Sequence, residues 1–217
     1  MTESPSRLRI SEIFFSLQGE STTVGCPTVF IRLTGCPLRC VYCDTSYAFS
    51  GGEWLDLDQI MQQVKQYSAR YITVTGGEPL AQKACVELLR RLCDEAYKVS
   101  IETSGALDIS AVDSRVKRVM DLKTPASGEC EKNLYQNIDY LGPDDEVKFV
   151  ISNRDDYQWS KQILDKYNLN ERCEVLFSPV HGEISATDLA DWIIEDGLAV
   201  RFQVQLHKYL WGDKPGH

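Results

Sequence analysis

The chain alternates short apolar, β-rich runs with longer stretches whose apolar residues recur at helical spacing. Residues 11–15 and 28–34 (TVFIRLT) read as strands. Residues 56–67 predict a helix. Leu57, Ile60, Met61 and Val64 follow the i, i+3, i+4, i+7 pattern, and Asp56 stands as candidate N-cap. Residues 71–75 (YITVT) form a strand that runs into two glycines. Residues 82–96 predict a helix with Cys85, Leu88, Leu89 and Leu92 on one face. Further strands are predicted at 98–102, 118–122, 147–151, 174–178 and 200–204, with helices at 155–167 and 185–195 between the later ones. Ser185 and Asp188 make a capping-box-like start for the last helix. Such alternation predicts α/β architecture with parallel strands. The number of βα units falls short of eight, and a complete barrel needs about 250 residues. The expected fold is therefore an incomplete, open (β/α)-type barrel. It would be a single domain over 1–217, with its site at the C-terminal ends of the strands.

Composition narrows the class. Hydrophobic residues make up 43% and charged residues 25% of the 217, as in an ordinary globular protein. No apolar run approaches the ~20 residues of a membrane span. The polar start, Met1-Thr2-Glu3-Ser4-Pro5-Ser6, lacks a signal-peptide core. Eight cysteines without an export signal argue for reduced thiols or cluster ligands, hence for the cytoplasm. The net charge of −9 argues against a phosphate-backbone partner and for a small-molecule substrate.

The densest chemistry is Cys36-Pro37-Leu38-Arg39-Cys40-Val41-Tyr42-Cys43, a C-x3-C-x2-C triad. A structural zinc site takes four protein ligands, and most iron–sulfur clusters take four cysteines. The other cysteines are Cys26, Cys85, Cys93, Cys130 and Cys173, and none forms a C-x2-C pair. His181, His207 and His217 make no ligand pair at finger spacing either. A triad without a fourth partner suggests a cluster whose last iron is reserved for a small molecule.

Polar motifs follow the strands. Thr75-Gly76-Gly77-Glu78-Pro79 stands where a strand gives way to a helix: its glycines expose backbone, and Glu78 offers a carboxylate to a cationic group. Leu17-Gln18-Gly19-Glu20 follows the first strand, and its donors and acceptors suit the amide and amino edges of a pterin or purine. Asp44-Thr45 has two readings, a hard-cation site or a turn. Tyr42 could pack beside a bound adenine or simply beneath the loop. Glu102-Thr103-Ser104-Gly105, Asp121-Leu122-Lys123 and Phe177-Ser178-Pro179 each end a strand. Arg32 interrupts an apolar strand and needs a partner or a ligand carboxylate.

The triad resembles that of the radical S-adenosylmethionine enzymes. The full set (F-x-x-Q-G-E, C-x3-C-x2-C-D-T, T-G-G-E-P, E-T-S-G, D-L-K and the late H-K-Y) resembles the 7-carboxy-7-deazaguanine synthase family over nearly the whole chain. That resemblance implies a [4Fe–4S] cluster on Cys36, Cys40 and Cys43, S-adenosylmethionine on its fourth iron, and Mg²⁺ at Thr45. It places Gly77, Glu78, Ser104, Asp121, Leu122, Lys123 and Ser178 at cofactor positions. Leu17, Gln18, Gly19, Glu20, Arg32 and Thr75 fall at substrate positions. The implied reaction is a radical ring contraction of 6-carboxy-5,6,7,8-tetrahydropterin to 7-carboxy-7-deazaguanine with loss of ammonia, a carbon–nitrogen lyase step toward queuosine. No side chain is required as a catalytic base, since the cofactor does the hard chemistry. The family further implies a homodimer and an electron donor such as a flavodoxin or ferredoxin. In some relatives the terminal carboxylate meets the pterin. Two rivals remain at this point: a glycyl-radical activase, and a non-catalytic zinc or iron–sulfur module.

Overall fold

The computed structural model describes residues 6–212, 214 and 216. The polar start at residues 1–5 and the terminal carboxylate lie outside the described residues. Strand β1 (Arg7–Leu17) pairs antiparallel with β2 (Pro27–Leu33) on one side and β3 (Glu53–Asp56) on the other. From β2 onward every pairing is parallel, through β4 (Tyr71–Gly76), β5 (Lys98–Thr103), β6 (Lys117–Asp121), β7 (Glu146–Ile151), β8 (Glu174–Pro179) and β9 (Arg201–Phe202). The order β3-β1-β2-β4-β5-β6-β7-β8-β9 does not close on itself, so the molecule is an open, partial barrel.

Helices α1 (Leu57–Val64), α2 (Cys85–Asp94), α3 (Arg154–Tyr167) and α4 (Ala186–Glu195) connect the parallel strands, and α5 (Leu206–Trp211) follows the last. No α-helix stands between β5 and β6 or between β6 and β7. Leu57, Ile60, Met61 and Val64 of α1 are buried, as their spacing requires, and the Asp56 amide donates to Gln59 Oε1 at 2.8 Å. Helix α3 starts where Asn153 Oδ1 accepts from the Asp156 amide at 2.9 Å. It ends at Asn168, in the left-handed conformation with φ 48°.

Several boundaries differ from the sequence expectation: β1 runs from Arg7 to Leu17 and not over 11–15, α1 ends at Val64 and not at 67, and β3 was not expected at all. Helix α2 begins at Cys85, not at 82, because Gln82 clamps two strands. Its Nε2 donates to the carbonyls of Arg9 and Thr34, both at 3.0 Å, and its Oε1 accepts from the Arg9 amide at 2.8 Å. The strand expected at 200–204 shrinks to Arg201–Phe202, whose ladder to β8 ends with the Gln203 amide donating to the Phe177 carbonyl at 3.0 Å. Beyond it the chain turns into α5, which the hydrophobic pattern did not announce.

The strands explain why the site lies where it does. Parallel strands covered on both sides read as continuous apolar runs, but these alternate. Val29, Ile31 and Leu33 of β2, Ile72 and Val74 of β4, Ile101 of β5 and Val147 and Phe149 of β7 join the apolar core. Their neighbours Arg32, Thr75, Glu102 and Lys148 point into the hollow of the half-barrel. One face of each strand holds the fold and the other lines a polar cavity.

Candidate functional site

A cavity of about 470 Å³ opens at the C-terminal ends of the parallel strands. Its first wall is the loop after β2. Gly35, at φ +98°, turns the chain there, and its amide donates to the Ala48 carbonyl at 2.8 Å. Cys36, Cys40 and Cys43 all face the cavity, and the Leu38 amide donates to Cys36 Sγ at 3.4 Å. Burial pushes the thiols of Cys36 and Cys40 up, and Lys123 opposes that shift in both. Bound iron would override burial, since a coordinated thiol is deprotonated outright.

The two glycines after β4 answer to close packing. A Cβ on Gly77 would fall 2.2 Å from the Gly35 carbonyl oxygen and 2.8 Å from Cys36 Cβ. One on Gly76 would fall 2.2 Å from the Leu33 oxygen. The strand end therefore lies directly against the cysteine loop, and both glycines line the cavity. Glu78 was expected to offer its carboxylate to a cationic group. It is fully buried beside the cavity, and its oxygens accept from Thr103 Oγ1 at 2.9 Å and 3.0 Å, the Ser104 amide at 2.7 Å, Ser104 Oγ at 2.5 Å and the Leu80 amide at 3.1 Å. It ties the end of β4 to the end of β5. Leu122 and Ser178 are also buried and do not line the cavity.

Ser104, Asp121 and Lys123 do line it. Lys123 Nζ lies 3.0 Å from Asp121 Oδ2, and Asp121 Oδ1 is buried without a hydrogen-bond partner. An orphaned carboxylate oxygen in a cavity wall suits a ligand that brings hydroxyl or ammonium donors, which S-adenosylmethionine has. Three thiols facing the space beside it suit a cluster with one iron left open. The residues present therefore fit both groups.

The opposite wall is built by Leu17, Gln18, Gly19, Glu20, Arg32 and Thr75, with Glu102 and Lys148. Gln18 Nε2 donates to Thr73 Oγ1 at 3.2 Å and to Glu102 Oε1 at 3.3 Å, while Thr75 Oγ1 donates to Glu102 Oε2 at 2.9 Å. Burial, then the neighbouring Glu20, raises the Glu102 carboxyl above its ordinary range. Burial opposes the Lys148 ammonium, but Glu20, Asp121 and Glu102 outweigh it and raise its pKa. Arg32 Nε donates to Glu12 Oε1 at 2.7 Å, and its guanidinium lies between the rings of Phe14 and Tyr47. The strand arginine thus has a protein partner and still reaches the cavity.

Asp44 and Thr45 stand between the walls. Thr45 Oγ1 donates to Asp44 Oδ1 at 2.7 Å and Gln205 Nε2 to Asp44 Oδ2 at 3.2 Å. Burial would raise Asp44, but these bonds and the charges of Lys148 and Lys208 hold it below the usual range. Tyr42, whose hydroxyl lies 3.3 Å from Thr124 Oγ1, lines the cavity and is pushed up to about 12, chiefly by burial. Helix α5 closes the mouth. The Leu206 amide donates to the Gly19 oxygen at 3.0 Å, and a Cβ on Gly19 would strike His207 Nδ1 at 2.2 Å. Lys148, Gln205 and His207 are cavity residues not among the expected site residues.

Known proteins agree with this architecture. The Radical SAM superfamily matches residues 30–171, which span the cysteine loop and β2 to α3. The 7-carboxy-7-deazaguanine synthase of Chlorobaculum tepidum is 42% identical over 97% of this chain and 96% of its own. That of Koribacter versatilis is 41% identical over 94% and 97%. The crystal structure of QueE from Escherichia coli superposes with a TM-score of 0.76, covering 93% of this chain and 95% of that one, at 22% identity. Streptococcus suis SuiB bound to its precursor peptide SuiA shares the fold more loosely, with a TM-score of 0.60. The fold and the cysteine loop are those of a radical S-adenosylmethionine enzyme. Within that superfamily the chain belongs to the 7-carboxy-7-deazaguanine synthase family.

Proposed function

We propose that this chain is the lyase that contracts 6-carboxy-5,6,7,8-tetrahydropterin to 7-carboxy-7-deazaguanine with loss of ammonia, in the route to queuosine and other 7-deazapurines. The observation that carries this reading is one cavity with a cysteine triad on one wall and a Gln18–Glu102–Thr75 network on the other. When bound, the cluster and S-adenosylmethionine supply the radical that removes hydrogen from the substrate. Cys36, Cys40 and Cys43 would hold the cluster. Ser104, Asp121 and Lys123 would meet the cofactor, with Gly77 giving it room and Glu78, Leu122 and Ser178 supporting that wall. Gln18 and Glu102 match the donors and acceptors of the pterin's amide and amino edge, with Leu17, Gly19, Glu20 and Thr75 around it. Arg32 faces the substrate carboxylate. Phe14 and Phe30 stack with ring centroids 5.0 Å apart and give this wall an apolar patch.

Mg²⁺ belongs beside Thr45. Its hydroxyl donates to Asp44 and so leaves its lone pairs for a cation, and Mg²⁺ takes few protein ligands, completing its shell with water or substrate. A homodimer is supported by exposed apolar side chains late in the chain: Phe202, Val204, Tyr209 and Leu210. A flavodoxin or ferredoxin would supply the electron. Among the described residues no helix is long and apolar enough to cross a membrane, and the free cysteines agree with a cytoplasmic setting.

Anaerobic turnover of the reconstituted protein with S-adenosylmethionine, reductant, Mg²⁺ and the pterin, read by mass spectrometry, tests this. 7-Carboxy-7-deazaguanine is the expected product. 5′-Deoxyadenosine without it would keep the radical class and move the substrate.

A further inference from the structure

Lys148 lies midway along β7, in the apolar run Val147-Lys148-Phe149-Val150. Its side chain is 13% exposed, and an ammonium so placed needs partners. It has them from separate elements. Nζ bonds Glu20 Oε2 in the loop after β1 and lies 3.8 Å from Asp121 Oδ2 at the end of β6. The Glu102 carboxylate of β5, held by Gln18 and Thr75, also feels its charge. Glu20 Oε1 in turn accepts from Gln205 Nε2 at 2.8 Å, and the Glu20 amide donates to Gln18 Oε1 at 3.2 Å. The cation therefore sits where the substrate wall meets the cofactor wall, among three carboxylates that would otherwise repel one another.

We propose that Lys148 is a positioning residue for the pterin: it fixes Glu20, and through Glu20 the Gln18 amide, and joins that wall to Asp121 on the cofactor side. The inference rests on the reaction proposed above and deepens it. A pterin edge needs a set pattern of donors and acceptors. Gln18 presents the right face only while Glu20 holds its place. Without the cation, Glu20 loses its ion pair and nothing ties it to Asp121 across the two walls. Lys148 acts through these groups and needs no contact with the reacting atoms.

The test is a cycle of Lys148→Met, Glu20→Gln and the double variant, each read two ways. Fluorescence anisotropy of 6-carboxypterin measures binding without turnover, and anaerobic assays give KM together with 5′-deoxyadenosine formed per product. Lys148→Met should weaken 6-carboxypterin binding and raise KM at least tenfold, with more 5′-deoxyadenosine released per product. Once Glu20 is already neutral, removing Lys148 should cost little more, so the double variant should bind about as Glu20→Gln does. That comparison holds even if Lys148→Met alone does not fold, because the double variant removes the cation together with the carboxylate it bonds, while Asp121 keeps Lys123 and Glu102 keeps Gln18 and Thr75. Wild-type binding and KM in Lys148→Met, or a double variant whose losses multiply, would overturn the role. If the wild-type protein makes no 7-carboxy-7-deazaguanine, the proposed reaction fails and not the placement of Lys148.

Discussion

Arg32 and Lys148 are the same kind of residue, a cation set in an apolar strand whose neighbours on either side serve the core. Lys148 interrupts an apolar run as Arg32 does, and its partners stand 128 and 27 positions away in the chain. Arg32→Ala should raise KM for the carboxylated pterin by well over tenfold, at ~1.4 kcal/mol per decade. A KM near that of wild type would reduce Arg32 to the partner of Glu12. Thr45 tests the metal separately. Thr45→Ala should weaken the Mg²⁺ dependence of turnover while the iron content and visible spectrum of the cluster stay the same. An unaltered Mg²⁺ titration would remove Thr45 from the metal site. Gly19, Gly76 and Gly77 show what motif reading misses at this scale. Each is glycine because another part of the chain lies where its Cβ would be, and for Gly19 that part is a histidine nearly two hundred residues on.

Elements were legible in proportion to how local their causes are. Helix α1 follows its apolar spacing, and α3 begins and ends at caps written into the sequence, Asn153 and Asn168. Asn153→Ala should lower stability by about 1 kcal/mol, the usual worth of such a cap. Chemical denaturation would show it as a lower midpoint with an unchanged slope, whereas no change would mean that tertiary packing alone holds the first turn. Helix α2 starts late because Gln82, a good helix former, bonds instead to β1 and the end of β2. Helix α5 is six residues long and buries none of them, so no periodic apolar stripe marks it. It nonetheless brings Gln205 and His207 to the mouth of the cavity.

Across the whole molecule, an open barrel puts polar groups from five strands and the loops at their C-terminal ends into one hollow, and their charges become interdependent. His207 illustrates the consequence. Burial lowers its pKa, against the pull of Glu20 and Asp44, so the folded state binds its proton less readily than the unfolded chain does. The stability this withholds is lost as pH falls below about 6.5, where the unfolded imidazole charges first. Wild-type protein should therefore lose more melting temperature between pH 7.5 and 5.5 than His207→Gln does. Equal losses would mean that His207 ionises alike in both states. The sequence by itself determined the order of the other strands and helices, though not β3 or α5, and with it the cysteine triad and most of the polar strand ends, because periodicity, capping and ligand spacing are local properties. It also indicated that the barrel would be incomplete, since length limits the number of βα units. Only the tertiary structure decided that β1 runs antiparallel between β2 and β3, that Glu78 turns away from the cavity to bind Thr103 and Ser104, and that Lys148 meets Glu20 and Asp121. Those outcomes depend on which distant residues share a space, and one-dimensional spacing carries no term for that.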